Sequence, residues 1–120
     1  MLDKSTSVQQ LRAIINQFID AREWTQFHNP KCLSIAIAAE AAELMELFMW
    51  CDNEASFKEA QKYQGEVKEE LADIIITAFC FARATNIDIV SAVQDKMKIN
   101  AKRYPVEKAK GKYSKYDKLD

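Results

Sequence analysis

The chain has 120 residues, of which 48% are hydrophobic and 29% charged, the composition of a single globular domain that is small enough to gain from oligomerisation. Its formal net charge of −1 argues against a general nucleic-acid binder, which needs an extended basic surface, but leaves nucleotides open. No uninterrupted apolar run approaches the ~20 residues that span a bilayer, and Met1-Leu2-Asp3-Lys4 does not begin a signal peptide, so no membrane partner is expected and the expected address is the cytoplasm.

With only Gly65, Gly111, Pro30 and Pro105 as punctuation, the chain lacks the turn chemistry of a multi-stranded sheet, and an all-α fold is predicted. The first helix spans Ser7 to Arg22: Ser7 and Gln10 suit a capping box, and Val8, Leu11, Ile14, Ile15 and Phe18 form one apolar stripe expected to enter the core. Asn29 followed by Pro30 starts a second helix, reaching Trp50, with Asn as N-cap and Pro at the first helical position. Ser56 and Glu59 suggest another capping box that opens a short helix, which Gly65 interrupts. The third long helix runs from Glu66 to Thr85. Its stretch Ile74 to Phe81 has strand-like propensity but continues a charged helical segment, so a helix buried nearly all round is expected. Asn86 ends it, Asp88 caps a fourth helix to Arg103, and Tyr104-Pro105 stops that one. The expected architecture is therefore four main helices plus a short one. Residues 1–104 form a single helical domain and 105–120 a basic C-terminal tail, which is either a solvated terminus or an anion-contacting flap.

Two acidic pairs interrupt the apolar pattern: Glu40-Ala-Ala-Glu43 and Glu70-Leu-Ala-Asp73. Residues three apart share a helix face, so each pair presents two carboxylates in one direction. Such groups among Leu44, Leu71, Ile74 and Ile75 are costly to bury unless a cation compensates them. Four oxygen ligands without His or Cys favour Mg²⁺, or alternatively Mn²⁺, and hence phosphate chemistry. Cys32, Cys51 and Cys80 are odd in number and lack CxxC spacing, which points to packing rather than a disulfide framework or a zinc site.

ExxE on one helix and ExxD on the next resemble the metal signature of the MazG-like all-α nucleoside triphosphate pyrophosphohydrolases. The segments Trp24-Thr25-Gln26-Phe27-His28-Asn29-Pro30-Lys31, Glu40 to Trp50, Asn100-Ala101-Lys102-Arg103-Tyr104-Pro105 and Gly111 to Tyr116 are similar to its dCTP pyrophosphatase branch. The resemblance implies a MazG-like helical bundle assembled as a homodimer or homotetramer. It also implies Mg²⁺-dependent hydrolysis of a (deoxy)nucleoside triphosphate, dCTP or dATP favoured, to monophosphate and pyrophosphate.

On this reading Glu40, Glu43, Glu70 and Asp73 are the metal ligands and catalytic carboxylates. One of them, or Glu46 or Glu69, aligns and deprotonates the water that attacks the α-phosphorus; Glu46, Glu66 and Glu69 also fit plain surface charges. Lys96, Asn100 and Arg103 share a helix face suited to a polyphosphate, and the resemblance assigns Lys96, Asn100 and Tyr104 that role. Trp24 and Trp50 match positions beside the base, while Phe18 suits either that slot or the core. His28 is expected to fix its turn through a hydrogen bond rather than to act in catalysis. The chain departs from the branch at Thr77, where an aromatic Tyr is usual, and at Ile15, where a His is usual, so the reaction transfers more safely than the base. Two rivals are a non-catalytic helical interaction module with acidic faces, and a di-iron carboxylate bundle, which normally uses ExxH motifs absent from both pairs here.

Overall fold

A computed structural model describes residues 1–120. It contains six α-helices and no strands: α1 (Val8–Ala21), α2 (Pro30–Glu46), α3 (Ser56–Lys62), α4 (Gln64–Thr85), α5 (Ile89–Arg103) and α6 (Val106–Ala109), with 3₁₀ turns at Trp24–Phe27 and Tyr116–Lys118. The chain divides into two compact units, Met1–Asn86 and Ile87–Asp120.

In the first unit, α2 lies along α4 in its most extensive helix contact, and α1 packs on α4 as well. The helix starts follow the sequence closely. The Gln10 N–H donates to Ser7 Oγ at 3.1 Å while Gln10 Oε1 accepts from the Ser7 N–H at 2.7 Å, a reciprocal box that satisfies two otherwise unpaired donors. Asn29 Oδ1 accepts from the Cys32 N–H at 2.9 Å, with Pro30 at the first helical position. Asn86 ends α4 in the left-handed region, at φ 56°.

Four expectations are corrected. Helix α2 ends at Glu46 rather than Trp50, because the Leu47 and Phe48 N–H groups bond three residues back, to Leu44 and Met45, and tighten the last turn. Ser56 does not cap α3, whose N-cap position is Ala55 and carries no side-chain hydrogen bond: the Ser56 hydroxyl donates back to the Asn53 carbonyl at 2.6 Å, and Asp52 accepts the Ala55 N–H at 2.8 Å in the preceding turn. Gly65 does not break the chain between α3 and α4. The break falls at Tyr63 (φ −107°, ψ 34°), and Gly65 sits inside α4. Finally, the apolar stripe of α1 is not all core. Ile15 and Ile19 are buried at 7% and 5%, whereas Val8, Leu11, Ile14 and Phe18 stay exposed, as do Ile75 and Ile76 of the α4 stretch expected to be buried all round. Only α1 and α2 cover α4 extensively within this unit, and two helices cannot surround a third.

The second unit holds α5, capped by Asp88 Oδ2, which accepts the Ser91 N–H at 3.1 Å. After the short helix α6, Tyr116 meets Tyr104 edge-on at 6.1 Å between ring centroids, and the Arg103 guanidinium lies 4.7 Å from the Tyr116 centroid. The segment expected to be a tail therefore contains ordered turns that fold back on the end of α5. No single helix is long and apolar enough to cross a membrane.

The Asn29 cap gives a direct test of this reading. Asn29→Ala should lower unfolding stability by about 1 kcal/mol while Asn29→Asp stays within a few tenths of wild type, as read from urea denaturation midpoints. An Ala variant as stable as wild type would show that the side chain does not hold the start of α2.

Candidate active site

The contact between α2 and α4 carries the acidic pairs to one place. Glu40 and Glu43 sit on adjacent turns of α2, Glu70 and Asp73 on adjacent turns of α4. One carboxylate oxygen from each of Glu40, Glu43 and Glu70 lies within 4.8 Å of the others. Asp73 stands outside this close group, yet its charge acts on both Glu40 and Glu70. Glu40 Oε2 and Glu70 Oε2 are each shut off from solvent with no hydrogen-bond partner, a condition that costs free energy for any carboxylate oxygen and more for an ionised one.

Electrostatics follows from this crowding. Loss of water around Glu40, and then the charges of Glu43 and Asp73, raise its carboxyl above the ordinary 4.5. Glu70 is pushed up to about 7, first by a hydrogen bond shared with Glu43, then by desolvation and by the charges of Glu43, Glu40 and Asp73. Carboxylates this close cannot all ionise without compensation, and the raised Glu70 value expresses that constraint. The donor set is oxygen only and two of its oxygens lack a partner, a fit to a hard divalent cation.

Beside the cluster, Asp73 also lines a slot of about 410 Å³ whose other walls are Ile14, Ile15, Phe18, Ile19, Trp24 and Ile76. Apart from the Asp73 carboxylate the lining is apolar. Phe18 and Trp24 meet edge-on at 5.7 Å and 77°, so Phe18 belongs to the slot rather than the core. Thr77 does not line it; its hydroxyl donates to the Asp73 carbonyl at 2.6 Å. Trp50 is 92% exposed and borders a different cavity, of about 480 Å³, with Glu46, Leu47, Cys51, Glu59 and Tyr63. The two tryptophans are therefore not brought to one cavity within the chain. His28 does not fix its turn through the imidazole: its backbone N–H bonds to the Thr25 carbonyl at 3.1 Å, and its side chain borders a small cavity with Thr25, Cys80, Arg83 and Ala84. Lys96, Asn100, Arg103 and Tyr104 lie on and just after α5 in the second unit, where the Tyr104 N–H donates to the Asn100 carbonyl at 2.8 Å.

Several features were not anticipated from sequence. Ile14, Ile15, Ile19 and Ile76 form slot walls, although the first two were visible only as an apolar stripe. Glu23 adopts the left-handed conformation, at φ 54°, and Arg83 pairs with Asp20 at 2.9 Å across α4 and α1. Neither leaves a local pattern in the chain.

Clustered carboxylates on two facing helices of an all-α protein, beside an apolar slot, are an arrangement consistent with a divalent cation. Residues 35–119 match the MazG-like family. Over 115 residues the chain is 35% identical to dCTP pyrophosphatase 1 of Bos taurus and 34% identical to that of Homo sapiens, covering 94% of this chain and 68% of each of those proteins. The crystal structure of a pyrophosphatase from Archaeoglobus fulgidus matches with a TM-score of 0.78 at 36% identity, over 81% of this chain and 91% of that one. The chain belongs to the MazG-like family and is an enzyme of the nucleotide pyrophosphohydrolase class.

The raised Glu70 pKa sets a pH dependence. Between the ordinary 4.5 and about 7 the folded state keeps a proton that the unfolded chain has lost, so folding is favoured at the low end and stability falls as pH rises through that window. Cation-free protein should melt at lower temperature at pH 8 than at pH 5, with the difference reduced in Glu70→Gln and offset by added divalent cation. Thermal melts in chelator that are flat across this range, and indifferent to the cation, would contradict the crowding described here.

Proposed function

We propose that the chain is a Mg²⁺-dependent nucleoside triphosphate pyrophosphohydrolase that releases pyrophosphate and a monophosphate, with dCTP or dATP favoured and Mn²⁺ the alternative ion. The observation that carries this reading is the pair of partnerless, sequestered oxygens on Glu40 and Glu70, placed next to a slot that shares Asp73 with the acidic cluster's field. The relatives named dCTP pyrophosphatase 1 support the substrate class. Glu40, Glu43 and Glu70 would hold the ion, with Asp73 as the fourth ligand. When bound, it supplies positive charge that neutralises phosphate oxygens and makes phosphorus more electrophilic.

The chain's own groups account for the remaining steps. Trp24 and Phe18 stack against the base, and the apolar slot excludes water from it. A carboxylate of the cluster accepts a proton from the attacking water as the new bond to the α-phosphorus forms; the bond to the bridging oxygen breaks, and pyrophosphate leaves with the electron pair. Lys96, Asn100, Arg103 and Tyr104 serve the β- and γ-phosphates, and Trp50, supplied by a neighbouring subunit of the assembly, serves the base; the catalytic domain is residues 1–104, followed by a basic segment, 105–120.

Assembly is part of the same proposal. Leu11, Ile14, Ile35, Met45, Leu71 and Ile75 are among the exposed apolar residues. Exposed apolar side chains in this number mark an interface, and a homodimer or homotetramer covers them.

Each element has its test. With Mg²⁺ and a panel of ribo- and deoxyribonucleoside triphosphates, products should be monophosphate and pyrophosphate; diphosphate plus phosphate, or no turnover, rejects the reaction. Glu43→Gln and Asp73→Asn should each lose at least about 100-fold in kcat with the fold intact by circular dichroism, and near-wild-type rates would remove the cluster from the chemistry. Because the slot offers size and stacking rather than matched hydrogen bonds, discrimination among bases should be about tenfold to a few hundredfold. Light scattering should show a dimer or tetramer; a monodisperse species of 13.8 kDa would refute the assembly.

A further inference from the structure

One aromatic wall of the slot is contacted by a residue that does not line it. Arg22, at the C-terminal end of α1, places its guanidinium carbon 3.6 Å from the Phe18 ring centroid, and its Nη1 donates to the Phe18 carbonyl at 3.0 Å. The ring is thus covered on one face by a planar cation while Trp24 abuts it edge-on at 5.7 Å. Between the two contacts the backbone passes through Glu23 in the left-handed conformation, at φ 54°, which turns the chain so that Trp24 returns to Phe18. Phe18 is 48% exposed; an aromatic ring so loosely buried has rotamer freedom unless something outside holds it.

We propose that Arg22 is a positioning residue for base binding: its guanidinium, stacked on Phe18 and tied to the Phe18 carbonyl, fixes the ring as the wall against which the nucleotide base packs. A planar guanidinium suits this role better than an ammonium, because it covers the whole ring and donates along its edge at the same time. Arg22 does not line the slot, so it acts through Phe18 and not on the phosphates. This inference rests on the assignment of the Phe18–Trp24 slot to the base.

The test compares a deoxynucleoside triphosphate with deoxyribose 5′-triphosphate lacking a base, using the full-length enzyme and Mg²⁺. Arg22→Ala should raise KM for dCTP about two- to fivefold, the scale of one exposed cation–π contact, with kcat within twofold and no change toward the baseless triphosphate. Arg22→Lys should recover part of the KM effect, and Arg22→Leu, which keeps bulk without charge, none of it. Phe18→Ala should raise KM for dCTP at least as much, again sparing the baseless substrate. If Phe18→Ala and Trp24→Ala leave dCTP KM unchanged, the base slot itself is misassigned. If they raise it and Arg22→Ala does not, or if Arg22→Ala weakens both substrates equally, the positioning role of Arg22 is wrong while the slot stands.

Discussion

Mutual repulsion among carboxylates is the constraint around which the first unit is organised. Helix α2 brings Glu40 and Glu43, helix α4 brings Glu70 and Asp73, and the packing of the two helices forces the first three within a few ångströms. Apolar side chains would make that contact more stable by removing desolvation and charge repulsion. The arrangement persists because helix packing elsewhere along α2 and α4 outweighs it, and because a proton, or a cation in its place, relieves the repulsion. The crowding raises the Glu70 carboxyl to about 7 and leaves one oxygen each of Glu40 and Glu70 without a partner.

The slot shows how one helix serves both stability and function. On α1, Ile15 and Ile19 are the residues buried, yet the same two side chains form slot walls with Phe18 and Ile14. The wall nearest the acidic cluster is Asp73, so a ligand in the slot experiences apolar contact along most of its surface and negative charge at one end. Such a surface discriminates by shape and stacking area, because it offers no array of donors and acceptors to match a base edge. Arg22 and Glu23 adjoin the same aromatic pair, the first stacked on Phe18 and the second in the left-handed conformation between Phe18 and Trp24.

The sequence by itself determined the helices, because their caps are local. Ser7 with Gln10, Asn29 with Pro30, Asn86 and Asp88 each act within about one turn, and each forms as the spacing requires. The pairing of acids was equally legible, since residues three apart must share a helix face. Local spacing misled where alternatives competed within a turn: the Ser56 hydroxyl turned back to the Asn53 carbonyl and left α3 without a side-chain cap, and Tyr63 rather than Gly65 took the break before α4. What only the tertiary structure decided was distance between elements. That Glu70, rather than Asp73, completes the close trio with Glu40 and Glu43, that Asp73 faces the slot, and that Trp24 and Trp50 border different cavities all depend on how α2 and α1 dock on α4. A periodic pattern states which face of a helix is apolar, but not which neighbour covers it, and so it could not tell the buried residues of α1 from the exposed ones or show that both line the slot.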